Sequence, residues 1–400
     1  MRILQLCNKI PWPLNEGGSI AINQIGSGLR NAGHQVDVLC IETPKFGVRL
    51  SDLPEEFRSR FNVQGVRIDT RVKSVGAFLN LFSSLPYNIT RFVSADFEEK
   101  IKEILKETTY DIIQFESVYM APYIEVFRNL SKAHLVLRAH NIEYLIWERY
   151  AANQKNPLKR IYIQIMKNRL KKYEQNVFPQ FDAIIPITPN DEKYIADTGC
   201  KTPTLVFPAT LFPSDSFNHV KADKNTVCHI GTMDWMPNQE GIFWFLREIW
   251  PLILTMNPDA RLRLAGRNMP DDISQWNGRD QILIAGEVND SAAFIASSEV
   301  MIVPLLSGSG MRVKIIEGMS LGKAIVATSI AAEGINVSHC ENILIADAPE
   351  EFAKAVVSLL TDSELRVSIE ISAKKLIFEQ YNPATLISKL TGFYEQLCNA

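Results

Sequence analysis

Short apolar runs of strand length alternate with longer amphipathic segments along this chain, and the alternation starts twice. The first series predicts strands over residues 3–7, 36–41, 111–115, 134–138 and 183–187, with helical patterns between them. The first helix is predicted over 19–31 and is closed by Gly33. A second series predicts strands over 226–230, 261–265, 281–285, 300–304 and 324–327. Its helices are predicted over 239–256, 312–320, 350–360, 363–378 and 383–398. Such alternation belongs to an α/β chain, with parallel sheets covered by helices on both faces. At 400 residues the chain has room for two or three domains.

The stretch 207–216 is rich in proline and small polar residues and reads as the break between the series. Two Rossmann-like domains are therefore expected, over 1–208 and 222–381, with 209–221 as linker. The last helix, 382–400, can belong to either domain, including by crossing back to the first. Open sheets of this type bind ligands outside the C-terminal ends of their strands, at helix N-termini. Two such domains facing each other across a cleft would place chemistry in loops 8–19, 116–119, 139–143, 231–238, 266–269, 286–288 and 305–317.

Composition excludes several classes. Lys and Arg number 42 against 45 Asp and Glu, a formal charge of -3, which gives no support to nucleic-acid binding. The six cysteines form no C-x-x-C pair and read as reduced, mostly buried thiols. No metal-ligand cluster of His and Cys and no Asp-x-Asp occurs, so no metal site is expected. No signal peptide and no apolar run of about 18 residues is present, and a cytoplasmic location is expected. Gly26-Ser-Gly28 lies inside a helical stretch rather than opening it, which removes the main support for a dinucleotide-dependent dehydrogenase.

The segment Pro304-Leu-Leu-Ser-Gly-Ser-Gly-Met-Arg-Val-Lys-Ile-Ile-Glu317 runs from a strand through a small-residue loop into a helix. Glycines let backbone N–H groups approach a ligand, and a helix N-terminus adds partial positive charge. With Arg312 and Lys314 this suits a diphosphate, and Glu317 can accept two ribose hydroxyls. On the residues alone, a plain strand–turn–helix with solvated Arg and Lys is an equal reading.

This segment resembles the nucleotide-sugar-binding stretch of GT-B glycosyltransferases of family 4. That family usually carries Glu, seven residues, then Glu. Glu317 matches the second, which the resemblance assigns to the ribose, while Ser309 stands where the first would be. The Gly-Ser-Gly and Arg-x-Lys form is similar to a branch of the family. His229-Ile-Gly-Thr-Met-Asp-Trp-Met-Pro-Asn-Gln-Glu-Gly241 resembles the first strand and loop of the donor domain. The usual Arg and Lys after that loop are missing, and Arg312 and Lys314 are the candidates to replace them. Arg138-Ala-His-Asn-Ile-Glu-Tyr144 is a further match, and Gly17-Gly18 resembles the family's N-terminal glycine loop.

The resemblance implies a metal-independent retaining transferase that moves a sugar from a nucleotide-diphosphate sugar to a hydroxyl. It needs no cofactor beyond that donor, and polysaccharide or other glycan assembly is implied. Catalytic candidates are His140, Arg312 and Lys314. Donor-binding candidates are Gly17, Gly18, Gly231, Asp234, Ser309, Gly310, Met311 and Glu317. In the family a His placed like His140 reaches the reacting sugar; on the residues alone a buried structural histidine is the commoner case. Trp235 reads equally as pocket lining or packing. Glu116 is a weaker candidate, and Asn141 and Glu143 read equally as helix-start residues.

Residues 158–173 read as a basic amphipathic helix, with Leu158, Ile161, Tyr162, Ile165, Met166 and Tyr173 on one face. Such a helix suits peripheral contact with the inner face of an anionic membrane and a lipid-linked acceptor, though packing on its own domain is the commoner case. Two rival readings are a GT-B-like UDP-sugar 2-epimerase and a non-catalytic nucleotide-sugar-binding protein.

Overall fold

The computed structural model describes residues 1–14, 17–44, 47–80, 83, 85–153, 157–208, 220–233, 235–308 and 310–399. The chain divides into two compact units, Met1–Pro208 with Pro383–Ala400, and Ala209–Asn382. Most of the expected linker, 209–219, lies outside the described residues.

The first unit holds β1 (Arg2–Cys7), β2 (Gln35–Glu42), β3 (Gln64–Arg67), β4 (Ile112–Phe115), β5 (His134–Ala139) and β6 (Ala183–Pro186). They pair in parallel in the order β3-β2-β1-β4-β5-β6. All residues of β4 and β6 are buried, as expected of strands covered on both faces. The strand β3 was not anticipated: Gln64-Gly-Val-Arg67 is short, has one large apolar residue and sits at the sheet edge, so it carries little patterning. The last helix, Pro383–Asn399, packs here: Leu386, Ile387, Leu390 and Tyr394 join Ile22, Ile25 and Leu29 in one buried cluster.

The second unit holds β7 (Asp223–Ile230), β8 (Arg261–Ala265), β9 (Ile282–Gly286), β10 (Ser298–Val303), β11 (Ala324–Ala327) and β12 (Leu344–Ile345). Their order is β12-β11-β10-β7-β8-β9, again all parallel. The two-residue edge strand β12 also escaped the sequence reading. The helix expected over 239–256 is interrupted. It runs Met236–Trp244, widens to a π segment at Phe245–Ile249, and resumes at Trp250–Met256. Pro251 has no N–H to donate and its ring crowds the carbonyl four residues back, so the preceding turn opens.

Each sheet reverses its strand order once, between β1 and β4 and between β7 and β10. A crevice forms outside the strand ends at such a point, and there ligands of open sheets bind. In both units the residues described next lie just past these strand ends.

The helix expected over 158–173 spans Pro157–Val177. Its packed stripe is Ile163, Met166, Leu170 and Val177; of the face expected from the pattern, Met166 is buried and Tyr173 packs against the core, while the two isoleucines turn outwards. Ile161 and Ile165 are 59% and 43% exposed. Lys159, Arg160, Lys171 and Lys172 are exposed on the same helix. The side chain of Leu158 lies outside the described residues. Fewer cysteines are buried than expected: Cys7, Cys40 and Cys228 are buried, Cys200 is half-buried, and Cys340 and Cys398 are exposed.

Candidate active site

In the second unit β7 ends at Ile230 and the chain turns at Gly231, whose N–H donates to Ala265 O at 3.1 Å. A Cβ at Gly231 would meet Lys314 Nζ and come within 2.8 Å of Asn238 Nδ2, so only glycine leaves room for that pair. Lys314 belongs to the helix Val313–Ser320, which follows β10. Its Nζ donates to Asn238 Oδ1 at 3.0 Å, while Asn238 Nδ2 donates to Thr232 O at 2.7 Å. One asparagine thus holds both the turn after β7 and the ammonium.

Arg312 caps the same helix and is 5% exposed. Its guanidinium carbon lies 5.4 Å from the centroid of the Trp235 ring, and its Nη1 donates to Gly310 O. Gly310 sits at φ +78°, the left-handed region that glycine tolerates. Trp235 therefore packs against a cation. Burial, and then the charge of Arg312, lower the Lys314 pKa to about 7, against the opposite pull of Glu317. Two cations held close together in a poorly hydrated turn favour an anionic ligand.

Glu317 lies one turn further on. Its Oε1 accepts from Ser291 Oγ at 2.6 Å, and Ser291 opens the helix Ser291–Ala296 capped by Asp290. Burial raises the Glu317 pKa, and Asp290 adds to this, while Ser291 and Lys314 oppose it. Met311 is half-buried and packs against the core of the unit. Asp234 and Ser309 lie outside the described residues.

Two buried groups beside this site had no role from sequence. His229 is fully buried in β7, and its Nδ1 donates to Ile302 O at 2.9 Å. Burial, and then the Lys314 charge, push its pKa well down, so it stays neutral. Its Nε2 and the Thr232 hydroxyl are buried with no hydrogen-bond partner among the described residues.

In the first unit, Glu116 follows β4 and is 1% exposed. Its Oε1 accepts from Gln5 Nε2 at 2.7 Å and from Gln114 Nε2. His140 follows β5, and its Nε2 lies 2.9 Å from Glu116 Oε2. The His140 side chain is 16% exposed. Burial lowers the His140 pKa, with Arg138 and Lys9 adding to the effect and Glu116 opposing it. A neutral imidazole that donates through Nε2 keeps its Nδ1 lone pair as an acceptor. Arg138, in β5, is fully buried over the Phe207 ring, and burial lowers its pKa to about 10. Gly17 and Gly18 open the helix Gly17–Asn31 instead of lying in the loop before it. A Cβ at Gly18 would stand 3.2 Å from Lys9 Nζ.

The segment after His140 is fixed by carboxylates. Glu174 accepts the backbone N–H groups of Glu143 at 2.9 Å and Tyr144 at 3.0 Å, at the start of the helix Glu143–Asn153. Tyr119 Oη donates to Glu143 Oε2 at 2.6 Å. Glu143 is thus a helix-start residue. Among the described residues no group of three or more His, Cys, Asp and Glu is placed to hold a metal, and no helix is long and apolar enough to cross a membrane.

Comparison with known proteins fits this geometry. HepE from Anabaena, solved in complex with UDP, superposes with a TM-score of 0.69 at 13% identity, covering 99% of this chain and 100% of that one. The fold is GT-B. Within this GT-B chain, residues 224–362, which lie in the second unit, match the family model described as glycosyl transferases group 1. An uncharacterised 44.6 kDa protein in the cps region of Klebsiella pneumoniae is 23% identical, over 97% of this chain and 98% of its own length. The phosphatidyl-myo-inositol mannosyltransferase of Mycolicibacterium smegmatis is 19% identical, over 100% of this chain and 95% of its own.

Proposed function

We propose that this GT-B protein is a retaining, metal-independent glycosyltransferase of family 4 that takes a sugar from a nucleotide-diphosphate donor to a hydroxyl of a glycan or lipid-linked acceptor. The observation that carries the reading is the Lys314–Asn238–Gly231 arrangement with Arg312, at the strand-order reversal of a domain that matches the group 1 family. The UDP complex of HepE and the mannosyltransferase name of the mycobacterial relative support a nucleotide-sugar donor. The cps-region relative supports a place in glycan assembly.

On this reading Arg312 and Lys314 stabilise the negative charge that grows on the leaving diphosphate. Losing one such charge costs about a hundredfold in rate. Glu317, steadied by Ser291, accepts the ribose hydroxyls. His140 presents Nδ1 to a sugar hydroxyl and orients the sugar without serving as an obligate base. The helix Pro157–Val177, with Ile161 and Ile165 exposed among lysines, rests on the inner face of an anionic membrane.

A thermal-shift panel of UDP, GDP, ADP and their sugar conjugates tests the donor site in wild type and Glu317→Ala. A ligand at 100 times its dissociation constant adds about 2.7 kcal/mol. The expected result is selective stabilisation by one nucleotide, weakened in Glu317→Ala. Absence of stabilisation by any of them at millimolar concentration sinks the reading. Donor turnover without an acceptor to a changed sugar, rather than transfer, would replace it with an epimerase.

A further inference from the structure

Tyr394 is fully buried, and it lies on the last helix of the chain, 280 positions beyond the residue it touches, Gln114. Gln114 in turn touches Glu116, and Glu116 touches His140. The direction of these hydrogen bonds can be worked out from one end. A carboxylate only accepts, so Gln114 must turn its NH2 towards Glu116 Oε1. The amide oxygen then faces Tyr394, whose hydroxyl must donate to it. Gln5 adds a second amide donor to Oε1 and gives its other N–H to Ile22 O at 3.3 Å. With Oε1 occupied twice, Oε2 is the atom presented to His140 at 2.9 Å, and the imidazole must donate through Nε2.

A phenylalanine at 394 would fill nearly the same volume. A buried hydroxyl is costly unless it is paired, and so is a buried amide. Packing alone therefore gives no reason for a tyrosine here or for a glutamine at 114, in the middle of a strand buried on both faces. Leu386, Ile387 and Leu390 already supply the apolar contact of this helix.

We propose that Tyr394 and Gln114 are positioning residues that hold Glu116 and thereby set the tautomer of His140, making the C-terminal helix a working part of the first unit's site. The proposal rests on the reading of His140 as a sugar-contacting residue. The relay itself is a statement about hydrogen-bond direction and is measurable without turnover. Tyr394 Oη, the Gln114 amide, the Glu116 carboxylate and the His140 imidazole are in series, so loss of the first donor leaves the Gln114 amide oxygen unpaired and the carboxylate less firmly held, with Gln5 as its remaining fixed donor.

The test uses the full chain with histidine-selective 15N labelling. Long-range 1H–15N spectra report the tautomer, and the His140 signals are assigned by their loss in His140→Ala. Wild type is expected to show the Nε2–H form. In Tyr394→Phe a mixture with the Nδ1–H form is expected. The kcat for nucleoside diphosphate release, measured with the nucleotide sugar chosen from the panel, should fall about five- to tenfold, the worth of one buried neutral hydrogen bond. KM for the donor should stay unchanged. Gln114→Met should do the same and serves if Tyr394→Phe does not fold. Unaltered His140 signals and kcat in a folded variant with wild-type nucleotide stabilisation overturn the proposal. Full turnover in His140→Ala would instead overturn the role given to His140, while the tautomer result still decides the relay.

Discussion

Lys314 Nζ and Asn238 Oδ1 are 3.0 Å apart, and the same asparagine ties its amide N–H to the carbonyl of Thr232. Among the described residues this poorly solvated lysine is hydrogen-bonded to a neutral amide and forms no direct ion pair, Glu317 acting on it only through space. That condition suits a site whose counter-charge arrives with the ligand. Lys314 half-titrates near pH 7 when nothing is bound, because burial and Arg312 disfavour its charge. A diphosphate beside it restores the charge. Binding of UDP or GDP near pH 8 should therefore take up a proton. Affinity should weaken as pH rises above 7, by at most about tenfold per unit. Calorimetry in buffers of different ionisation enthalpy reads the uptake directly, and Lys314→Met should abolish it. A pH-independent affinity between 6.5 and 8.5 would contradict the assignment.

Gly231→Ala tests the same pair from the other side. The new Cβ would fall on Lys314 Nζ and near Asn238 Nδ2, both at the ends of side chains that can swing away. The fold should survive with its melting temperature nearly unchanged. Nucleotide affinity should drop on the order of tenfold, as expected when one charged contact is displaced. Gly266→Ala is a useful contrast, since there the Cβ would strike the carbonyl of Gly231, which is backbone. That variant should lose stability as well as binding.

Glu174 predicts a pH dependence of stability. Burial, and then the nearby Glu143, raise its pKa from 4.5 to about 8, although two backbone N–H groups oppose the shift. Burial also raises the pKa of Glu143. An acid held this way binds its proton more tightly when folded. Its stabilising share is complete below pH 4.5 and is lost as pH climbs towards 8. Glu174→Gln keeps an acceptor for the helix start and removes the titration. Its melting temperature should gain on wild type progressively between pH 5 and 8. Parallel curves across that window would show that Glu174 does not titrate there.

These cases also mark how far the sequence could be read. Strand positions were legible because β6 and β11 are unbroken apolar runs and β4 is interrupted only by Gln114. The strand-end loops followed from that, and so did the region of Gly231, Arg312, Lys314 and Glu317. Partners across long separations were not legible. Asn238 and Lys314 are 76 positions apart, Gln5 and Glu116 are 111 apart, and nothing in their local patterns links them. Nor could periodicity choose the buried face of Pro157–Val177. Isoleucines occur on more than one side of that helix, and tertiary packing selected Ile163 over Ile161 and Ile165.

Ser291 is the least conspicuous of the site residues, and its prediction separates holding from binding. Its hydroxyl lies 2.6 Å from Glu317 Oε1, and it comes from a different helix, anchored by the Asp290 cap. Glu317 has a second oxygen that this contact leaves to a ligand. Ser291→Ala should therefore not abolish nucleotide binding but loosen the carboxylate, raising KM for the donor about three- to tenfold, the range of one hydrogen bond to a charged group or a little less. The kcat should be nearly unchanged, because ribose contacts are made equally in ground and transition states. Glu317→Ala should raise KM further. Combining the two changes should add little, since with Glu317 gone Ser291 has nothing left to hold. Additive losses in the double variant would mean that Ser291 contacts the donor itself.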